Sequence, residues 1–204
     1  MERQKVTKTH PDRKILSYLC IKPTRMKTRN TITVQPYTSP CGRLLLGSFN
    51  DKLCLCDWQV EKHRERVNER LKRILRADFK EGVSELTARA ARQLDEYFTG
   101  KRRTFDIPLL FTGTDFQQKV WNELLHIPFG TTVSYGEMAR RIDMPKAVRA
   151  VANANGANSI SIFAPCHRVI GSDHSLTGYG GGLDTKQKLL ELEGVFFPTF
   201  LWRR

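Results

Sequence analysis

Residues 160–170, ISIFAPCHRVI, put a thiol, an imidazole and a guanidinium side by side in an otherwise apolar run. A thiol is a weak nucleophile until it ionises, and a neighbouring imidazole or helix N-terminus lowers its pKa. The apolar flanks place Cys166 in or beside a core layer, on a segment that reads as extended. Successive side chains of a strand point to opposite sides, so Cys166 and His167 cannot face each other in regular geometry. Either Pro165 bends the chain at that point or a water relays the proton. Taken without its neighbours, a buried cysteine is more often packing than chemistry; the flanking Pro, His and Arg favour a nucleophile.

The chain has 204 residues and five cysteines, Cys20, Cys41, Cys54, Cys56 and Cys166. An odd number, behind a charged N-terminus with no apolar leader, suits reduced thiols in the cytoplasm rather than a disulfide framework. Cys54 and Cys56 alternate with leucines, so a regular strand turns both to one face. A zinc site from Cys41, Cys54, Cys56 and His63 matches no common ligand spacing, and small buried hydrophobes are the better reading.

Charge points to a partner. Lys and Arg number 34 against 21 Asp and Glu, a formal net charge of +13. Residues 1–30 alone hold nine Lys and Arg against two acids. A polyanion, above all nucleic acid, fits this balance. No apolar run approaches the roughly 20 residues a membrane helix needs.

The surrounding elements divide the chain into a basic arm (1–30), an N-terminal α/β domain (31–112), a C-terminal domain (113–195) and an apolar tail (196–204). TITVQPY, RLLLGSF and KLCLCDW, separated by turns at residues 39–42 and 50–51, predict an antiparallel meander. Residues 61–76 predict a helix burying Val67, Leu71, Ile74 and Leu75. Residues 84–98 predict a second, capped by Ser84, with Leu86, Ala90, Leu94 and Phe98 inward. A third runs from Thr114 to about His126 with Phe116, Val120, Trp121, Leu124 and Leu125 inward. Ser134 and Glu137 have capping-box spacing at the start of SYGEMARRI. A tight connection through Asp143-Met144-Pro145 leads to another helix with Pro145 near its first turn, the pattern of a helix-turn-helix. In PKAVRAVANANGAN, Val148, Val151 and Ala152 are expected inward. Ala147, Arg149, Ala150, Asn153 and Ala154 then leave a nearly bald outer face. Such a face lacks the bidentate groups that read base edges and suits close, sequence-tolerant approach to DNA, including a widened minor groove.

IPFGTTVSYGEMA, PKAVRAVANANGAN, PCHRVIGSD, LTGYGGGL and KQKLLELEG occur here in that order. In order and spacing they resemble the methylated-DNA–protein-cysteine methyltransferases, or O6-alkylguanine-DNA alkyltransferases. The resemblance covers about residues 31–195. It implies an α+β fold in which a small N-terminal antiparallel sheet with helices, ribonuclease H-like, precedes a mainly helical, winged helix-turn-helix-like DNA-binding domain. It implies a DNA repair protein that takes the alkyl group from O6-alkylguanine in duplex DNA onto Cys166, irreversibly and once, by chemistry that needs no metal and no organic cofactor. O4-alkylthymine stays open as a second substrate, and the chain is expected to act as a monomer.

Site roles follow from the same resemblance, position by position. His167 resembles the general base acting through water, and Glu193 the acid that orients it. Asn158 resembles the asparagine that organises the turn beneath the site. Tyr135, beside Gly136, resembles the phenol that protonates the departing guanine at N3. Arg149 resembles the finger that fills the stack once the nucleotide has swung out. The Val169 backbone, Ser172, Tyr179 and Gly180 resemble contacts around the guanine pocket. The chain departs from the family pattern at Ser159, where Pro often stands, at Ala164, usually β-branched, and at Gly180, where some relatives carry Ser. A damage sensor without an acceptor cysteine, a turnover cysteine hydrolase and a sequence-specific regulator are the rival readings. Cys166 with its His and Glu argues against the first, the bald helix argues against the third, and the second would show repeated cycles where this reading expects stoichiometric inactivation.

Overall fold

The computed structural model describes residues 30–59 and 61–196, without the side chains of 61–63. The expectations for the arm lie outside these residues, as do those for the tail beyond Phe196, which is itself exposed. Among the described residues no helix is long and apolar enough to cross a membrane.

Three strands form the expected meander: β1 (Asn30–Ser39), β2 (Gly42–Phe49) and β3 (Lys52–Trp58). The β2–β3 turn places Asn50 and Asp51 at φ of 47° and 55°, the left-handed pair that a two-residue hairpin with native twist requires. Helix α1 (Glu61–Leu75) returns the chain to a strand that the sequence reading did not foresee, β4 (Ala77–Glu81). It pairs parallel to β1, so the sheet is mixed, in the order β3-β2-β1-β4, rather than wholly antiparallel. Helix α1 buries Val67 and Leu71 against Ile32, Val34 and Leu55 on one face of the sheet. On the other face, α2 (Glu85–Phe98) packs Leu86, Ala90 and Leu94 against Leu44 and Leu46. Ile74 is 44% exposed rather than inward, while Leu75 beside it packs against the cluster around Val67 and Leu71.

A bulge in β3 overturns the expected placing of its cysteines. The register passes from Gly47↔Leu55 to Ser48↔Leu53, leaving Cys54 as an extra residue. An extra residue shifts the alternation. Cys54 therefore joins Ile32 and Leu71 on the α1 face, while Cys56 packs with Leu46 and Leu94 on the other. Two thiols on opposite faces cannot share a metal, and among the described residues no three His, Cys, Asp or Glu side chains gather as ligands.

The outer edge of β3 is covered rather than bare. Leu53 N–H donates to Pro108 O at 2.8 Å and Leu53 O accepts from Leu110 N at 2.8 Å; Cys56 N–H donates to Ser159 O at 2.8 Å and Cys56 O accepts from Ser161 N at 2.7 Å. Exposed edge hydrogen-bonding groups invite aggregation, and these segments occupy them. They also fasten the sheet to the segment that leads into Cys166.

The C-terminal half packs α3 (Asp115–Leu124), α4 (Tyr135–Arg141) and α5 (Val148–Gly156) around Val120, Trp121, Met138 and Val151. Thr114 caps α3 through a full capping box. Ser134 caps α4 on Glu137 N–H, but the reciprocal arm is missing, since the Glu137 carboxylate pairs with Arg140 and Arg141 instead. Leu125 is 45% exposed, because α3 has already ended at Leu124. The α4–α5 connection spans residues 142–147 and holds Pro145 in a separate turn, so it is longer than expected and Pro145 is not in the first helical turn. The inward stripe of α5 is correspondingly rotated: Val151, Ala154 and Asn155 are buried, whereas Val148 is 38% exposed beside Arg149. Short strands β5 (Val133–Ser134) and β6 (Val169–Ile170) pair in parallel, and α6 (Leu183–Leu192) closes the fold.

Candidate active site

The segment before Cys166 is not the extended run that its apolar pattern suggests. Phe163 N–H donates to Ser161 O at 2.9 Å across Ile162, whose φ is +71°. That is a three-residue turn in a strained form, rare for a β-branched residue and typical of functional sites. Asn158 braces it from both sides: its Nδ2 donates to Ala164 O at 2.9 Å, and its Oδ1 accepts from Ile160 N at 3.0 Å. Pro165, at φ −79° and ψ 66°, then bends the chain, and Cys166–Arg168 form one turn of 3₁₀ helix. The bend, not strand geometry, sets where Cys166 and His167 point.

His167, Arg168 and Glu193 form one buried ionic knot. Glu193 sits at the C-terminal cap of α6. Its Oε1 accepts from Tyr97 Oη at 2.8 Å, His167 Nε2 at 2.8 Å and Arg168 Nη2 at 2.9 Å. Its Oε2 accepts from Arg168 Nε at 2.8 Å and Gly130 N at 3.1 Å. Burial pushes this carboxyl up, but the hydrogen bonds and charge of His167, and after it of Arg168, outweigh burial and hold it far below the ordinary carboxylate range. Burial lowers the His167 pKa, leaving the ring neutral. A carboxylate only accepts, so Nε2 carries the ring proton. Nδ1 keeps its lone pair, and among the described residues nothing hydrogen-bonds it. The knot therefore fixes a neutral imidazole in one tautomer, as an orienting carboxylate does for a general base.

Cys166 is 4% exposed. Burial raises its pKa; the Asn158 amide and the Lys186 charge oppose that. The resting group is thus a protonated thiol whose proton must be taken on demand. It lines a small cavity with Asn155, Asn158, Ser161, Tyr179 and Gly180. Through Gly156, Gly178, Tyr179 and Gly180 this cavity shares a wall with an open groove of about 440 Å³, bounded by Tyr135 and by Ala152 and Asn153 of α5. A larger cavity of about 580 Å³ lies on the far side of Pro165 and Arg168 and does not include Cys166.

The fold thus brings Cys166, Asn158, Tyr179 and Gly180 to the cavity and Tyr135 to the adjoining groove, while His167 and Glu193 line neither and meet each other in the buried knot. Tyr135, the first residue of α4, reaches toward Thr177 O at 3.5 Å. Arg149 is exposed on the outer side of α5. Gly136, Val169 and Ser172 line neither the cavity nor the groove; Ser172 is exposed, and the Val169 carbonyl is engaged by Lys186.

Lys186, Asn155 and Tyr97 were missed from sequence. Lys186 is wholly buried; Nζ donates to Val169 O at 2.6 Å and Thr177 O at 2.8 Å and lies 5.9 Å from the Tyr135 ring centroid. Burial lowers its pKa to about 8. It thus ties the strand after Cys166 to the loop before Tyr179. Asn155 Nδ2 donates to Cys166 O at 3.2 Å. One signal for Lys186 was available: Lys186, Leu189, Leu190 and Glu193 fall at i, i+3, i+4 and i+7, a single helical stripe with a charge at each end.

A helix pair thus packs over a buried cysteine that is followed by an imidazole–carboxylate–guanidinium knot, a fold built around a thiol. The sequence family described as 6-O-methylguanine DNA methyltransferase, DNA binding domain, matches residues 115–195, and its ribonuclease-like domain matches residues 32–111. The methylated-DNA–protein-cysteine methyltransferase of Methanosarcina acetivorans is 44% identical over 158 residues, 78% of this chain and 96% of that protein. Among solved structures, the Mycobacterium tuberculosis O6-methylguanine methyltransferase aligns with a TM-score of 0.68 at 40% identity, covering 82% of this chain and 96% of that one. The M. tuberculosis OGT in complex with DNA aligns at 0.66 and 42% identity, covering 80% and 92%. The chain belongs to the methylated-DNA–protein-cysteine methyltransferase family. Its activity is that of a DNA repair enzyme moving a methyl group from DNA to a protein cysteine.

Proposed function

We propose that Cys166 is the acceptor and that the groove between α5 and the Thr177–Gly180 loop receives O6-alkylguanine swung out of duplex DNA. The carrying observation is the one wall, Tyr179–Gly180, that borders both the thiol cavity and the open groove. His167 takes the thiol proton through a bridging water at Nδ1, and Glu193 stabilises the imidazolium that results. The sulfur attacks the alkyl carbon in line; the S–C bond forms as the C–O6 bond breaks, and its electron pair passes to guanine. Tyr135 donates a proton to N3, making the base a better leaving group. The product thioether has no leaving group, so each chain acts once. The protein is taken to act as a monomer in the cytoplasm; O4-alkylthymine presents the same alkyl–oxygen bond and is a candidate second substrate.

Incubation with a duplex carrying O6-methylguanine, followed by peptide mass analysis, tests this reading. One methyl per chain on the Cys166 peptide is expected; a methyl elsewhere, or repeated turnover, ends it.

Arg149 gives a second, sharper outcome. It resembles the residue that fills the gap left by the flipped nucleotide, an event costing a few kcal/mol. Arg149→Ala is expected to slow transfer from duplex by roughly 10-fold or more while leaving transfer from a single-stranded oligonucleotide unchanged. Its salt dependence on duplex should change by less than about one phosphate contact. Equal slowing on both substrates would place Arg149 elsewhere in the mechanism.

A further inference from the structure

Trp58 closes β3, two residues beyond Cys56, whose backbone is hydrogen-bonded to Ser159 and Ser161. It is 2% exposed, far from the helix pair in sequence, and its ring lies against the loop that walls the thiol cavity. Nε1–H donates to Tyr179 Oη at 3.0 Å, and the two rings meet edge-on with centroids 6.2 Å apart. On the other side of Gly180, a Cβ at Gly181 would stand 2.7 Å from Trp58 Cγ and Cδ1, closer than any side chain tolerates. Trp58 thus grips the residue on each side of Gly180. Tyr179 and Gly180 themselves line the cavity that holds Cys166.

We infer that Trp58 is a positioning residue for alkyl transfer, setting from the N-terminal sheet the distance between the Tyr179–Gly180 wall and the Cys166 sulfur; the inference rests on Cys166 being the acceptor. An indole N–H is a donor only, and a buried donor is nearly always satisfied, so the Trp58–Tyr179 bond fixes the phenol oxygen in place. The bulged edge of β3 supplies the rigid base. A wall held this way favours a small alkyl group pressed against the sulfur, and a slackened wall penalises methyl more than a bulky group that fills the space itself.

The test is single-turnover transfer at saturating duplex for Trp58→Phe, with O6-methylguanine and O6-benzylguanine as matched lesions. Trp58→Phe keeps the ring and removes the donor. The methyl rate is expected to fall roughly 3–10-fold, the span of one net hydrogen bond, with duplex affinity unchanged and the benzyl-to-methyl rate ratio raised at least about threefold. Tyr179→Phe removes the acceptor, should raise the same ratio, and should add nothing further in the double variant. A methyl rate unchanged, or both lesions slowed equally, overturns the inference, because loss of folded protein lowers both rates alike. Failure of the underlying reading is distinguishable: the unaltered chain would then leave Cys166 unmethylated.

Discussion

Glu193→Gln is expected to destabilise the protein by roughly 3–5 kcal/mol, the cost of breaking a buried ion pair from one side, and to lower its melting temperature by about 10 °C. Every neighbour of the carboxylate is a donor: Tyr97 Oη, His167 Nε2, two Arg168 nitrogens and the Gly130 amide. An amide oxygen can replace only one of the two acceptors. Its NH2 must face donors, and the Arg168 guanidinium, otherwise bonded to Ile127 O at 2.6 Å, loses its countercharge in the core. The catalytic loss is separate. Without the carboxylate, nothing fixes the His167 tautomer or stabilises its protonated form, and transfer should slow by about 10³-fold, within the range of general-base contributions.

The pH dependence carries the sign. The Glu193 pKa is depressed in the fold, so its contribution to stability is present above the unfolded value of about 4.3 and fades as pH falls below it. Thermal melts of the two proteins should differ most at neutral pH and converge as the medium is acidified below about pH 4. A gap that stays constant down to pH 3 would show that the ionised carboxylate is not what Arg168 relies on.

How much of this was legible beforehand depended on whether the physics was local. Ser84 and Thr114 cap helices with their own neighbours, and Asn50-Asp51 turns the chain without outside help. Such features show in a short window. Assigning the site took the family resemblance, because Glu193 lies 26 residues from His167 and nothing local pairs them. What escaped depended on distant contacts. β4 is a short, charged segment that becomes a strand only because β1 offers it a parallel edge. The bulge that separates Cys54 from Cys56 arises from register against Gly47, where Leu55 crowds the position a side chain would take. The strained turn at Ile162 persists because Asn158 and the β3 edge hold both of its ends. Its apolar sequence reads as a strand for the same reason it is buried, so periodicity could not reveal it.

Cys166→Ser should reduce methyl transfer by roughly 10⁶-fold, to below detection, the scale on which loss of a catalytic nucleophile is felt, while the protein still binds duplex containing O6-methylguanine within a few-fold of its normal affinity. Serine is close to isosteric and sits beside the same Asn158 amide in the cavity, but its hydroxyl stays protonated where a thiol can be ionised by a neutral imidazole. None of the residues bordering the open groove is altered, so recognition and flipping proceed and only the displacement fails. The other described cysteines offer no detour. Cys54 and Cys56 are buried on β3 with pKa values raised by burial, and Cys41 borders neither the cavity nor the groove. A stable complex between Cys166→Ser and the damaged duplex, with the lesion recovered intact, is therefore the expected result in a gel-shift and nucleoside-digest experiment. Recovery of unmodified guanine from that complex would mean that another group takes the methyl and that the buried thiol only fills space beside His167.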